Sequence, residues 1–421
     1  MSSADVKLPL VGLLLTAHVY NREEKLDESD LPVEIRKHFW DVESKQVKRP
    51  ITVRERDVEA LCGVDVKNFG GLPFLVYDRE SGEFRFTVPE MGVKWFLKQK
   101  GALEIIRGNP VLAYFFEGYD SLDVSYQDAR ARVRPREADR EWIDSLVQEV
   151  AREKGGEDML RLVRISAPED VKERFSDLVL TPGQRAKVEK IAKAIQYRDY
   201  LRGIGLHDIG KLLFVGPPGT GKTSTARALS EKLGLPVLEV RLSQIADQYL
   251  GETAKNIDRV FELAKRLSPC LLFIDEFDFV AKTRTTDEHA ALKRAVNTLL
   301  KAIDDISLVE DGVLLIGATN QPSILDQAAW RRFDEIVYFD LPDREMRREI
   351  LDLITSRIEG EIDTEKIAAE TDGCSGSDLR LIVREAVLEA LLEGRKRLTQ
   401  GDLEKAVQSF RERRELKNNE F

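Results

Sequence analysis

The sequence predicts an α/β protein: a parallel sheet covered by helices, preceded by an α/β N-terminal domain and followed by a segment of helices only. Three observations predict it. First, apolar, β-rich runs alternate with helical stretches at Leu212–Val215, Val237–Arg241, Leu271–Ile274, Val313–Ala318 and Glu335–Phe339. Strands that alternate with helices read as a parallel sheet, because a parallel connection needs a crossover. Second, Asp343–Phe421 reads as helices alone. Third, 421 residues suffice for two or three domains at about 100–200 residues each. The boundaries are expected at residues 1–167, 168–342 and 343–421.

Within the first domain, Leu8–Ala17 is a nearly continuous apolar run, read as a buried strand. A targeting or membrane-surface role is the other reading. The run has no basic leader and is shorter than the roughly 20 residues that cross a bilayer. Leu72–Tyr77 and Glu83–Val88, joined by a polar turn ending at Gly82, read as a β-hairpin. Pro73 belongs at the start or edge of its strand, because it has no N–H to donate to a ladder. Gly92–Ile106 and Arg136–Lys154 read as helices, the second with Trp142, Ile143, Leu146, Val147 and Val150 at helical spacing. Trp40, Phe74, Trp95 and Phe96 are read as core.

Composition narrows the function. The net charge of −10 and a pI of about 5.3 argue against a nucleic-acid partner, since such affinity rests on a basic face. Cys62, Cys270 and Cys374 form no close pair, and His18, His38, His207 and His289 are scattered. That argues against a disulfide framework and a zinc site, gives no sign of a metalloprotease centre, and fits a reducing compartment. No stretch reads as a membrane span, so a cytoplasmic protein is expected.

One motif carries chemistry outright. Gly216-Pro217-Pro218-Gly219-Thr220-Gly221-Lys222-Thr223 lies between the strand Leu212–Val215 and a helix from Thr223 to Leu233. Glycines let backbone N–H groups turn inward around phosphates, and the helix N-terminus adds positive potential. Lys222 is placed to contact the β- and γ-phosphates, and the Thr223 hydroxyl to ligate Mg2+. ATP and Mg2+ are therefore the expected cofactors. The strand Leu271–Ile274 leads into Asp275 and Glu276. Beside a phosphate loop, Asp275 belongs next to the magnesium and Glu276 is placed to polarise the attacking water. Asn320 follows the strand Val313–Ala318, where an amide can orient the water or sense the γ-phosphate. Taken alone, an Asn after a strand is usually just a turn residue.

Together these motifs resemble the AAA family of ring-forming ATPases, from about Phe175 to the C-terminus. Phe273–Asp278 looks like the family's acidic motif, and Gly317-Ala318-Thr319-Asn320 like its sensor segment. The resemblance implies a P-loop NTPase sheet with a helical lid. Leu325-Asp326 followed by Arg331-Arg332-Phe333-Asp334 resembles the second region of homology. It makes Arg331 and Arg332 arginine fingers that reach the ATP of a neighbouring subunit. The segment lacks the Pro-Gly insertion of many members, as in katanin, spastin and their relatives. Gly373–Leu379 resembles the lid motif, which brings Gly376 and Ser377 to the nucleotide. Phe175–Val179, with Asp177, looks like the segment that borders the base, although Leu180-Thr181-Pro182 replaces the usual following glycine. Tyr249-Leu250-Gly251 resembles a pore-loop tip that grips polypeptide; local core packing is its other reading.

The resemblance implies a homohexamer that threads protein substrates through its pore, with an adaptor recruited by the first domain. The alternative is a nucleotide switch that scaffolds a complex, with DNA as one setting for it, without threading. A proteasome-docking ATPase ranks lower, because the chain ends Asn419-Glu420-Phe421 rather than in a hydrophobic–tyrosine–any-residue tail.

Overall fold

The computed structural model describes residues 3–63, 72–119, 122–207, 209–242, 245, 252–278, 290–325 and 327–419. The chain divides into two compact units, Met1–Glu149 and Val150–Phe421.

The first unit is built on a helix, α1 (Ser3–Arg22), where the sequence predicts a strand. Leu10, Leu14 and Ala17 enter one core with Val47, Val58 and Phe84. Leu8, Val11 and Leu15 enter a second core with Phe74, Phe96 and Phe116. A helix buried between two cores needs no polar face, so its run of apolar residues has no period to distinguish it from a buried strand. The buried Thr16 hydroxyl is satisfied: its Oγ1 donates to the Gly12 carbonyl at 2.8 Å and accepts from Asn109 Nδ2 at 2.7 Å.

Two short antiparallel hairpins flank these cores. One pairs β1 (Trp40–Asp41) with β2 (Gln46–Val47), and the other β3 (Leu75–Asp78) with β4 (Glu83–Phe86). The second is the expected hairpin, and Pro73 stays outside its ladder. The expected helix Gly92–Ile106 is two helices, α2 (Pro89–Leu97) and α3 (Ala102–Arg107). Gly101 breaks it, with a left-handed φ of 96° at the N-cap of α3. Next comes α4 (Pro110–Phe116). The stretch read as a helix from Arg136 opens with a 3-10 turn and then forms α5 (Arg140–Arg152).

In the second unit, six strands make one sheet: β5 (Arg164–Ser166), β6 (Lys211–Val215), β7 (Val237–Arg241), β8 (Cys270–Asp275), β9 (Val313–Thr319) and β10 (Glu335–Tyr338). Their spatial order is β10-β6-β9-β8-β7-β5. All neighbours are parallel except the edge strand β5, which runs antiparallel to β7. That edge strand precedes the boundary expected after Ala167. Leu212, Phe214, Leu271, Phe273, Leu314 and Ile316 form the central core, and helices α6 (Lys222–Leu233), α7 (Thr253–Arg266) and α8 (Ala290–Asp304) accompany the sheet. Register aligns the strand ends: Val215 pairs with Thr319, and Arg241 with Asp275. The loops that leave these ends therefore emerge along one edge, where open α/β sheets bind ligands.

Four helices follow: α9 (Arg344–Thr355), α10 (Thr364–Glu370), α11 (Gly376–Leu392) and α12 (Gln400–Asn419). They enclose their own core of Leu351, Ile367, Leu379, Ile382 and Leu403. Ser375 starts α11 with a capping box: its hydroxyl accepts from Asp378 N, and the Asp378 carboxylate accepts from Ser375 N. Among the described residues, no helix is long and apolar enough to cross a membrane.

Candidate nucleotide site

The loop between β6 and α6 is held from below and from above. Gly216 N donates to the Thr319 carbonyl at 3.2 Å, which ties the start of the loop to the end of β9. A Cβ at Gly216 would lie 2.0 Å from the Phe339 carbonyl oxygen, so no larger residue fits. At Gly219, φ is 78° and a Cβ would lie 2.0 Å from Ser377 Oγ. Only glycine combines that backbone with that approach. The reward is direct contact with the helical lid, where Ser377 N donates to the Gly219 carbonyl at 3.1 Å.

Lys222 joins the loop to the next strand end. Its ammonium donates to the carbonyls of Gly216 at 2.7 Å and Pro217 at 2.8 Å, and to Asn320 Oδ1 at 2.7 Å. These acceptors are neutral, so they satisfy the ammonium's donors without neutralising its charge. Burial pushes its pKa from 10.5 down to about 8, against an upward pull from Asp275 and Asp278.

The acidic strand ends in a sharp turn with a packing cause. Phe277 is fully buried and its N–H donates to the Ala318 carbonyl at 2.8 Å. To bring Phe277 inward directly after β8, Glu276 takes a left-handed φ of 55°. That conformation costs a non-glycine residue about 1–2 kcal/mol, and such outliers gather at functional sites. Glu276 N donates to Asp275 Oδ1 at 2.9 Å. Asp278, which closes the acidic motif without an expected role of its own, is buried and accepts from Thr319 Oγ1 at 3.4 Å.

A cavity of about 780 Å³ collects most of the expected residues. Pro218 to Thr223, Asp275, Asn320, Asp177, Gly376 and Ser377 all line it. Gly216 and Pro217 lie beneath it as acceptors for Lys222. Thr223 and Asp275 bring a hydroxyl and a carboxylate to the same cavity. Such hard oxygen donors suit magnesium, which binds through one or two protein oxygens plus phosphates and water rather than a full protein cage. No cluster of three or more His, Cys, Asp or Glu among the described residues offers such a cage. Thr223 and Asp275 would hold the ion, which supplies charge neutralisation for the phosphates.

The lid adds residues that motif reading missed. Ile350, Leu353 and Ile354 of α9 line the cavity with Leu178 and Val179, an apolar shelf suited to a base. Their spacing along α9 was the available signal. Arg380 of α11 lines it too. Glu276 and the two expected fingers stand outside this lining, and the fingers differ from one another. Arg331 is exposed. Arg332 is only 14% exposed and is tied within its own chain, through Nε, to Asp304 Oδ1 at 2.9 Å and the Leu300 carbonyl at 3.1 Å. Phe333 packs edge-on against Phe277 at 5.3 Å, which links this segment to the acidic strand. Tyr249, Leu250 and Gly251, and also Asp326, lie outside the described residues.

Comparisons with known proteins agree with this geometry. Residues 212–341 match the model of the ATPase family associated with various cellular activities (AAA), and residues 361–405 match the AAA+ lid domain. An uncharacterized AAA family ATPase of Sinorhizobium fredii is 38% identical over 240 residues, 57% of this chain and 72% of that protein. The proteasome-activating nucleotidase of Methanocaldococcus jannaschii is 33% identical over 252 residues, 58% of each chain. An FtsH-type ATP-dependent zinc metalloprotease of Thermoanaerobacter sp. is 32% identical over 251 residues, 58% of this chain and 41% of that one. This chain thus spans little more than half of the nucleotidase and less than half of the metalloprotease. The two domain matches, and the Sinorhizobium fredii relative at 38% identity over 72% of its length, show the family: the chain belongs to the AAA family and is an ATPase.

Proposed function

We propose that this ATPase, with magnesium, works in the cytoplasm as a homohexameric ring that threads protein substrates through its pore. Residues 168–342 form the large ATPase subdomain and 343–421 the lid, while the N-terminal domain recruits substrate or an adaptor. One observation carries the ring: the phosphate loop, Asp275 and Asn320 line the cavity and Glu276 adjoins it through its N–H bond to Asp275 Oδ1, yet Arg331 and Arg332 do not line it. A cation delivered by a second copy stabilises transition-state charge and makes turnover depend on assembly. Similarity to a proteasome-activating nucleotidase and to an ATP-dependent metalloprotease supports proteins as the substrate class. Tyr249, with Leu250 and Gly251, is the proposed grip on the polypeptide.

The test uses two variants of the full chain. Glu276→Gln is expected to bind ATP but lose turnover by about a hundredfold or more, the loss typical of removing a general base. Tyr249→Ala is expected to hydrolyse ATP normally while failing to unfold a tagged substrate. Continued unfolding by the tyrosine variant would rule out threading by this residue.

A further inference from the structure

The hairpin of the first unit is covered on one edge and open on the other, and its register identifies the open atoms. On the covered side, Phe84 N of β4 donates to the Val53 carbonyl at 2.9 Å, and Glu55 N donates to the Gly82 carbonyl at 3.2 Å. Arg54 forms an antiparallel bridge with Glu83 there. An extended segment, residues 53–55, thus already lies along β4. Directly opposed residues of an antiparallel pair either exchange both hydrogen bonds or turn both away. Phe84 turns to Val53, so its partner Tyr77 turns its N–H and C=O away from β4. Leu75, opposite Phe86, does the same, and its N–H is used on the Leu72 carbonyl at 3.1 Å. The Leu75 C=O, the Tyr77 N–H and the Tyr77 C=O remain. Among the described residues nothing bonds to them, and β3 pairs with β4 alone.

The side chains leave this edge unguarded. Open edges are commonly blunted by lysine or proline. The strand is Leu-Val-Tyr-Asp, and Pro73 stands outside it. Val76 is exposed, as are Val88 and Met91 just after β4.

We propose that the open edge of β3 docks an extended segment of a protein substrate, which adds as a further strand. This rests on the reading of proteins as the substrate class. The free acceptors recur at alternate residues, roughly 7 Å apart, with a donor beside the second, and that spacing matches the backbone of a strand. Backbone pairing recognises extension rather than sequence, which suits a substrate presented unfolded. Val76, Val88 and Met91 offer its side chains apolar contact. The hairpin already takes residues 53–55 in the same manner on its other side.

Hydrogen exchange of the full chain, resolved to single amides, with and without unfolded casein tests this. The Tyr77 amide is expected to exchange freely in the chain alone and to slow by about tenfold or more with casein bound. The Val76 amide, inside the ladder, is expected to be slow in both states. Val76→Lys places on the edge a charge of the kind that opposes pairing. It is expected to weaken casein by about tenfold, with ATP turnover in the absence of casein unchanged. Bound casein with unaltered Tyr77 exchange would overturn the proposal and leave the substrate class standing, as would full casein affinity in Val76→Lys. A Tyr77 amide already slow in the chain alone would also overturn it, because the edge would then be covered by this chain or by a second copy. If the wild type binds no casein, the reading of proteins as substrates falls together with the docking edge.

Discussion

Two of the buried cations, Arg36 in the first unit and Lys222 in the second, have been treated in opposite ways by the fold. Arg36 in the first unit has a side chain 0% exposed and a dedicated carboxylate: its Nε lies 2.5 Å and its Nη2 3.0 Å from Asp139. The Pro135 and Glu28 carbonyls accept its remaining donors at 3.3 and 3.5 Å. Lys222 in the second unit is also buried, but its hydrogen bonds go to neutral oxygens and burial depresses its pKa to about 8. A buried charge with its own counter-ion is finished within the fold. A buried charge held by neutral acceptors retains its field for a ligand, at the expense of the protein that holds it.

The largest effects separate the two residues by what is lost. Arg36→Ala breaks a buried ion pair by removing one partner, so denaturant unfolding of the first unit is expected to lose about 3–5 kcal/mol. ADP affinity is expected to be unchanged. Replacing both partners by apolar residues should recover most of that stability. Lys222→Ala is expected to do the reverse: ADP binding weakens by about a hundredfold or more, while thermal stability without nucleotide is kept. If Lys222→Ala unfolded the chain as readily as Arg36→Ala, the contrast would collapse.

The pH dependence sharpens the same contrast. Lys222 has a pKa of about 8 in the folded chain against an ordinary 10.5. Between these values the unfolded chain binds the extra proton, so nucleotide-free stability gains from this group as pH rises. Bound phosphate favours the ammonium, so nucleotide binding takes up a proton over the same window. ADP affinity should therefore fall by up to about tenfold per pH unit above 8, in the opposite direction to stability. Calorimetry of ADP binding in buffers of different ionisation enthalpy counts that proton. No proton uptake at pH 9 would show that Lys222 keeps its charge without phosphate. Lys222→Met should abolish the uptake.

The two units also differ in how they are written in the sequence. In the second, the phosphate loop, Asp275 and Asn320 each sit at the end of a strand, and strand ends of a parallel sheet converge on one edge. Local spelling therefore implies spatial assembly. In the first unit the decisive contacts are distant: Arg36 and Asp139 lie 103 residues apart, and no local pattern pairs them. The run in α1 hid its helix because burial on both sides removes the period that would reveal it. The edge strand β5 escaped because three residues, Arg164–Ser166, gain their identity only by pairing with β7. The shelf of Ile350, Leu353 and Ile354 was legible as a helix face, but not as a face turned to a ligand.

The smallest expected effect tests whether the rule holds within one site. Arg331 and Arg332 are adjacent and chemically identical, yet Arg332 is bonded to Asp304 and to backbone carbonyls while Arg331 is exposed. By the logic of the buried pair, Arg332 serves its own chain and Arg331 is the group free to act on a second copy. Arg332→Ala should lower stability by about 1 kcal/mol, the scale of a partly exposed pair with its carbonyl bonds. Arg331→Ala should leave the melting temperature unmoved. In mixtures with wild type, Arg331→Ala subunits should depress turnover more than in proportion to their number, because each spoils a neighbour's site. Strictly proportional activity would mean that Arg331 serves only its own chain. A stability loss in Arg331→Ala as large as in Arg332→Ala would show that exposure does not distinguish the two roles.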